Sequence, residues 1–351
     1  MRAAVITGTH SVQVDDVPDA ALPGADGAVV TVQKSAICGS DLHFYDGDMG
    51  VGPEGLRVGH EAVGIVAEIG SEVRTVKVGD RVVIASVAGC GHCVGCALGD
   101  PVQCRNGGPK VFGAGVLDGA QAEAIAVPGA DFQLRKLSGE LSEISDEAAL
   151  LLTDNLPTGW IGARNADFVP GATVAVIGLG AVGLCAVRAA LMLGASRVLA
   201  VDPVAGRRAI AESFGAVGVD PNAEGGTVAQ LIEATNGLGV DSVIEAIARD
   251  ATLDAALSSV RPGGTVSIIG VHSLTPYPFQ VLGSLFRNLT IRTTTAPIQQ
   301  TWRELLPLVA SGRMATDGIF THSFPLEKAP DAYAAVAART GDCIKTVFNV
   351  S

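Results

Sequence analysis

The stretch Thr173-Val174-Ala175-Val176-Ile177-Gly178-Leu179-Gly180-Ala181-Val182-Gly183 decides the fold. Its first five residues form an apolar run of strand length, and from Ala181 small and apolar residues continue as a helix until Gly194 stops it. The three glycines between have separate duties. Gly178 permits the tight turn, Gly180 lets backbone approach a pyrophosphate, and Gly183 allows the helix to pack close to the strand. The phosphate charge then sits at a helix N-terminus, where free N–H groups and the dipole favour an anion. Asp202 follows about 20 residues on, at the end of the next strand, where a carboxylate accepts hydrogen bonds from ribose hydroxyls. Its charge repels the extra phosphate of NADP, so NAD is the expected cofactor. Arg207 and Arg208 close by leave NADP as the second candidate.

Outward from this stretch, strand and helix patterns alternate. Strands are expected at 197–201, 241–246 and 265–269, with helices at 204–214, 228–234 and 252–260. Continuous apolar strands separated by helices indicate a doubly wound parallel sheet covered on both faces. Residues 289–294 read as one more strand, and 302–309 as a helix in which Pro307 argues for a kink. Before Ser145-Asp146 the grammar differs: 29–32, 62–69 and 81–84 are short β-rich runs with dense turn signals, so the first ~150 residues read as a β-dominated domain. The tail, 342–350, is strand-like and able to rejoin that first domain, which makes the parallel-sheet domain an insertion.

The chain has 351 residues, more than one hydrophobic core usually serves. Its 24 basic against 36 acidic residues give a net charge of −12, which argues against a nucleic-acid partner. No apolar run is long enough to span a membrane, and the N-terminus runs straight into a strand pattern at Met1–Thr7 without a signal-peptide core. A cytoplasmic protein is the expectation.

Four of the seven cysteines are clustered as Cys90-x2-Cys93-x2-Cys96-x7-Cys104. Four thiolates close the tetrahedral shell of zinc and leave no vacancy for substrate, so this lobe, about 88–105, is expected to hold a structural ion. His92 inside it reads as a solvent-facing bystander. A second set is dispersed: Cys38 in Cys38-Gly39-Ser40-Asp41-Leu42-His43, His60 in Gly59-His60-Glu61, and Asp154 in Thr153-Asp154-Asn155-Leu156-Pro157. No spacing rule connects these positions. Cys, His and carboxylate together would leave one coordination place open for water or alcohol. Cys185 and Cys343 read as buried packing residues.

At these residues the chain resembles the zinc-dependent medium-chain alcohol dehydrogenases. Gly59-His60-Glu61-Ala62-Val63-Gly64, continuing to Gly70 and Val73, is similar to that family's zinc signature; Gly79-Asp80-Arg81-Val82, the four-Cys lobe and the fingerprint follow in the family's order. The resemblance implies a GroES-like β-rich catalytic domain (1–152, with a return at 293–351) and an inserted Rossmann domain at 153–292. It also implies two zinc ions per chain, with Cys38, His60 and Asp154 on the catalytic one. Glu61 matches the acidic residue that approaches zinc during ligand exchange, and Ser40 and His43 match a proton relay. Thr158 matches a residue near the nicotinamide, and Arg207 and Lys345 match basic residues near the ribose and pyrophosphate. Gly39 departs from relatives with Arg or His there. The implied reaction is hydride transfer between an alcohol, secondary or cyclic, and the nicotinamide. A polyol or formaldehyde dehydrogenase is the nearest alternative, a zinc-free quinone or enoyl reductase a weaker one, and a non-catalytic NAD-binding protein the alternative from another class. Phe44, Val51, Ser86, Phe112, Trp160 and 294–297 are expected near the pocket walls. Strand 289–294 resembles the family's subunit-pairing edge, which implies a homo-oligomer, a tetramer in preference to a dimer.

Overall fold

The computed structural model describes residues 1–49, 55–338 and 343–350, so Val51 and Asp342 lie outside the described residues. The chain forms two compact units. One holds Met1–Pro157 with 297–338 and 345–350; the other holds Thr158–Ala296 with Cys343 and Ile344.

The first unit is built on a seven-stranded sheet. Its path runs Leu134–Lys136, Arg81–Ile84, Glu61–Ile69, Ala28–Ile37, Lys345–Asn349, Phe320–Pro325, with Ala124–Val127 also pairing with Ala28–Ile37. The C-terminal strand Lys345–Asn349 is therefore interior. It pairs antiparallel with Ala28–Ile37 (Thr346 opposite Ile37) and parallel with Phe320–Pro325. Val30, Val32, Ala62, Val82, Phe112, Ile125 and Val127 fill one core. A second core gathers Ile6, Ile37, Leu42, Tyr45, Leu326, Tyr333 and Phe348, drawing on both ends of the chain.

The second unit is a six-stranded sheet in the order Val217–Val219, Arg197–Val201, Thr173–Ile177, Val240–Glu245, Val260–Ile268, Thr290–Thr293, every pair parallel. Numbered along the chain from Thr173–Ile177, that is the 3-2-1-4-5-6 order of the dinucleotide-binding fold. Val174, Ala175, Val176, Val198, Leu199 and Ala200 are fully buried, as strands covered on both faces must be.

Among the elements that differ from the sequence reading, two bear on the parallel-sheet unit. The strand expected from 265 begins at Val260 and carries Arg261-Pro262-Gly263-Gly264 within it, where its pairing with Val240–Glu245 shifts register. A helix also occupies Asn155–Asn165, unread because Pro157, Gly159 and Gly162 depress helix propensity. Pro157 stands in the first turn, where a missing N–H costs nothing. The glycines are required by packing: a Cβ on Gly159 would lie 2.6 Å from the Ala186 nitrogen, and one on Gly162 2.7 Å from Ile269 Cδ1.

Candidate functional site

In the second unit, Gly178 has φ of +93°, the left-handed conformation that the turn after the strand requires. A Cβ on Gly183 would stand 1.7 Å from the Gly178 carbonyl oxygen, so helix and strand approach as closely as glycine permits. At Gly180 a Cβ would meet nothing within 4 Å. Gly180 is also the N-cap of the helix Ala181–Met192 and offers no side-chain bond to its first N–H groups. Open space thus faces unsatisfied donors, which suits a pyrophosphate.

Asp202 is 3% exposed and closes this turn from below. Its Oδ2 accepts from the Leu179 N–H at 2.9 Å and its Oδ1 from the Val204 N–H at 2.9 Å. Arg207 Nη1 lies 3.7 Å from Asp202 Oδ2, while Nη2 donates to the Cys343 carbonyl at 3.2 Å. Arg208 donates to the Asp202 carbonyl and pairs with Asp220. Thr158 lies in the first turns of the helix Asn155–Asn165.

In the first unit, Cys38, His60, Glu61 and Asp154 converge, with one ligand atom from each within 4.8 Å of the others. The local chain explains how. Cys38 directly follows the central strand Ala28–Ile37; His60 directly precedes the neighbouring strand, which Glu61 opens; Asp154 follows Thr153, whose carbonyl takes the Ser86 N–H. Cys38 Sγ is 3.6 Å and His60 Nε2 is 3.8 Å from Asp154 Oδ2. Ligands held at about 2.0–2.3 Å from one zinc stand apart by roughly these distances.

Surrounding groups orient each member. His60 presents Nδ1 to Asp41 Oδ1 at 3.2 Å, which leaves Nε2 for the metal. Burial opposes charge on this imidazole, but Asp41 and then Cys38 outweigh it and raise its pKa well above the ordinary value. Asp154 accepts from Ser86 Oγ at 3.0 Å and from Asn155 Nδ2 at 2.8 Å. Glu61 is fully buried, with Oε1 bonded to Lys345 Nζ at 2.5 Å and Asn155 Nδ2 at 3.1 Å. Burial raises the Glu61 pKa, and Lys345 works against it. Glu61 Oε2 is buried without a protein partner, an orphaned acceptor beside three other side chains able to hold a metal ion. The donor set fits zinc.

Ser40 Oγ is 3.5 Å from His60 Nε2, and His43 Nδ1 is 3.2 Å from Asp48 Oδ2. Lys345, expected from the resemblance near the pyrophosphate, is 2% exposed and bonded to Glu61 and the Ile37 carbonyl. Asp41, Asn155 and the support given by Ser86 went unread, because nothing in their spacing reports tertiary proximity to Cys38 or Asp154. Of the expected wall residues, Ser86, Phe112 and Trp160 are buried and Phe44 is partly so.

The four-Cys lobe is compact. Cys90 and Cys96 sulfurs are 3.9 Å apart, and Cys93 and Cys96 sulfurs 3.6 Å. Four sulfurs about 2.3 Å from one zinc stand about 3.8 Å from each other, so the arrangement is tetrahedral in scale. Backbone N–H groups of Cys96 and Arg105 pull the Cys93 thiol down to about 6, whereas burial pushes Cys96 up to about 12. Asn106 Nδ2 donates to Cys90 Sγ at 3.4 Å and lies 3.1 Å from the exposed His92.

Comparison with known proteins gives the family. Residues 24–136 match the alcohol dehydrogenase GroES-like domain, and residues 181–311 the zinc-binding dehydrogenase domain. A Mycobacterium tuberculosis protein named a probable zinc-binding alcohol dehydrogenase is 54% identical over 97% of this chain and 87% of its own length. The solved structure of an alcohol dehydrogenase from Thermus sp. ATN1 covers 100% of both chains at 37% identity and a TM-score of 0.91. A Sinorhizobium meliloti protein described as a zinc-binding dehydrogenase and bound to NADP covers 99% of each chain at 28% identity and a TM-score of 0.84. With its GroES-like unit, its inserted parallel sheet and its convergent Cys, His and carboxylate groups, the chain belongs to the zinc-dependent medium-chain alcohol dehydrogenases, oxidoreductases acting on CH–OH groups.

Proposed function

We propose that this chain catalyses hydride transfer from a secondary or cyclic alcohol to NAD, and the reverse reduction of the carbonyl. Catalytic zinc would be held by Cys38, His60 and Asp154, and structural zinc by Cys90, Cys93, Cys96 and Cys104. The convergence of Cys38, His60, Glu61 and Asp154 carries the reading. Asp154 in that set resembles bacterial secondary-alcohol and formaldehyde dehydrogenases of the family. Asp202, a buried anion at the end of the second strand of its sheet, supports NAD over NADP.

When bound, zinc supplies Lewis acidity at the substrate oxygen and the nicotinamide accepts the hydride. The protein's own groups do the rest. Asp41 fixes His60 in the tautomer whose Nε2 faces the site, and Ser86 and Asn155 aim Asp154. Ser40 Oγ, beside His60 Nε2, takes the hydroxyl proton and hands it toward His43, which is partly exposed to solvent. Lys345 and Asn155 hold Glu61 by one oxygen and leave the other for ligand exchange. Thr158 and the Gly178–Gly183 turn bind the cofactor.

Cys90, Cys93, Cys96 and Cys104 gather as a metal-binding set of thiols, which supports a reducing, cytoplasmic setting. No described helix is long and apolar enough to cross a membrane. Association of copies through the edge strand Thr290–Thr293, as a homotetramer, completes the reading.

Metal analysis and a panel of primary, secondary, cyclic and polyol alcohols, followed by NADH absorbance, provide the test. The expected result is two zincs per chain and fastest turnover on secondary or cyclic alcohols. Cys38→Ser should retain one zinc, lose at least 10³-fold in turnover by the logic of an absent Lewis acid, and still bind NADH. Full turnover in Cys38→Ser would refute the ligand assignment, and Asp202→Gly with an unchanged NAD-to-NADP ratio of kcat/KM would refute the cofactor assignment.

A further inference from the structure

A chain of buried hydrogen bonds runs outward from His60. Asp41 Oδ1 meets His60 Nδ1 at 3.2 Å, and Asp41 Oδ2 accepts from the Cys38 N–H at 2.9 Å and from Gln121 Nε2 at 3.2 Å. Gln121 Nε2 also donates to the Ala36 carbonyl at 3.1 Å, and Gln121 Oε1 accepts from the Tyr333 hydroxyl at 2.9 Å. Tyr333 and Gln121 are both fully buried, and Asp41 is 2% exposed. Gly59, with φ of +93°, makes room for this passage, since a Cβ there would fall 2.4 Å from Gln121 Cγ.

Asp41 thus touches two of the expected zinc ligands at once, one through its ring nitrogen and one through its backbone. What keeps Asp41 in place is an amide whose two ends are nearly alike in shape and opposite in hydrogen bonding. If the Gln121 amide turned over, its carbonyl oxygen would face the Asp41 carboxylate and the Ala36 carbonyl, three acceptors without a proton among them. The Tyr333 hydroxyl forbids that state by demanding an acceptor at Oε1. Burial, then the nearby Asp41 charge, push the Tyr333 pKa well above the ordinary phenol, so it stays a donor throughout the working range.

We infer that Gln121 and Tyr333 are positioning residues of the catalytic zinc site: Tyr333 orients the Gln121 amide, and that amide holds Asp41 on His60 and Cys38. The inference rests on the proposed ligation by Cys38, His60 and Asp154. Outer partners of this kind typically change metal affinity by about 10–100-fold. The four-Cys site has its own, separate supports and serves as an internal control.

The test counts zinc released from the holoenzyme by a fixed concentration of a chromogenic chelator. Tyr333→Phe deletes one hydroxyl and keeps the ring. The expected result is that one zinc leaves about 10–100-fold faster than in the parent while the other keeps its parental rate. Gln121→Met should reproduce the selective loss and serves equally if Tyr333→Phe does not fold. The double variant should release zinc no faster than Gln121→Met alone, because the hydroxyl acts through the amide. Parental release rates from both sites, or equal acceleration at both with a fall in Tm, overturn the inference. A parent enzyme with a single zinc that Cys38→Ser does not remove overturns the ligand assignment as well, so the two failures are distinguishable.

Discussion

Asp80 shows how one carboxylate is recruited to hold the β-rich unit. Its Oδ2 accepts from the Lys77 N–H at 2.9 Å and its Oδ1 pairs with Lys136 Nζ at 2.7 Å, fastening the turn before Arg81–Ile84 to the next strand, Leu134–Lys136. Burial works to raise its pKa, but the Lys136 ammonium and the Lys77 N–H prevail, and the net shift is downward. A carboxyl whose folded pKa is depressed contributes its stability above the unfolded value of about 3.9 and loses it as pH falls through the folded one. Asp80→Asn should therefore cost about 2 kcal/mol at pH 7, the worth of a charged hydrogen bond, and the gap to the parent should narrow once pH drops below about 4. Urea unfolding at both pH values measures this, and a gap independent of pH would remove the charge from the explanation. Legibility at this scale divides along the chain's own spacing. The four-Cys lobe is readable because its ligands lie in one short segment. Cys38, His60 and Asp154 become readable only through a resemblance, since folding alone brings them together. Asp41, Asn155 and Gln121 carry no local mark, because their value is a neighbour that the sequence does not name.

The fingerprint was the most legible element. Strand Thr173–Ile177 and helix Ala181–Met192 stand where the apolar run and the glycines put them, because both patterns are local. The same geometry separates the roles of two glycines that look equivalent in sequence. At Gly183 a methyl group would collide with the Gly178 carbonyl at 1.7 Å, so Gly183→Ala must push helix from strand. Gly180→Ala meets only open space, so its folding cost should stay within about 1 kcal/mol, the usual scale of an N-cap change. That same methyl would occupy the approach of the pyrophosphate, and we expect NADH affinity to fall at least tenfold, about 1.4 kcal/mol. Thermal unfolding beside NADH fluorescence titration distinguishes the pair. Gly183→Ala should lose stability and binding together, and Gly180→Ala binding alone; intact binding in Gly180→Ala would place the phosphate elsewhere. The helix Asn155–Asn165 shows the opposite case. Its glycines argue against a helix locally and are explained only by the close approach of Cys185, Ala186 and Ile269.

At the scale of the molecule, the strand Lys345–Asn349 occupies an interior place in a sheet whose other members mostly precede residue 137. Chain order therefore hides the architecture, and the strand-like tail was the local hint of it. The parallel sheet of the other unit ends at Thr290–Thr293, which pairs only with Val260–Ile268 among the described residues. Just before that edge strand, the helix Val281–Phe286 buries none of its residues: Leu282 is 66% exposed, Leu285 62% and Phe286 78%, with Leu274 nearby in sequence at 73%. So many exposed large apolar side chains in the segment leading to an open strand edge are unusual for a surface that meets only water. The homo-oligomer proposed above would cover it, because a two-fold axis would set edge strand against edge strand and helix against helix. The parent should sediment as an oligomer, and Leu282→Glu with Phe286→Glu should shift it toward the monomer while near-UV circular dichroism and zinc content stay unchanged. Burying even one of these side chains is worth about 2 kcal/mol, so two buried charges in each of two symmetric copies suffice to open the contact. An oligomer of unchanged size in the doubly charged variant would assign the pairing to another face.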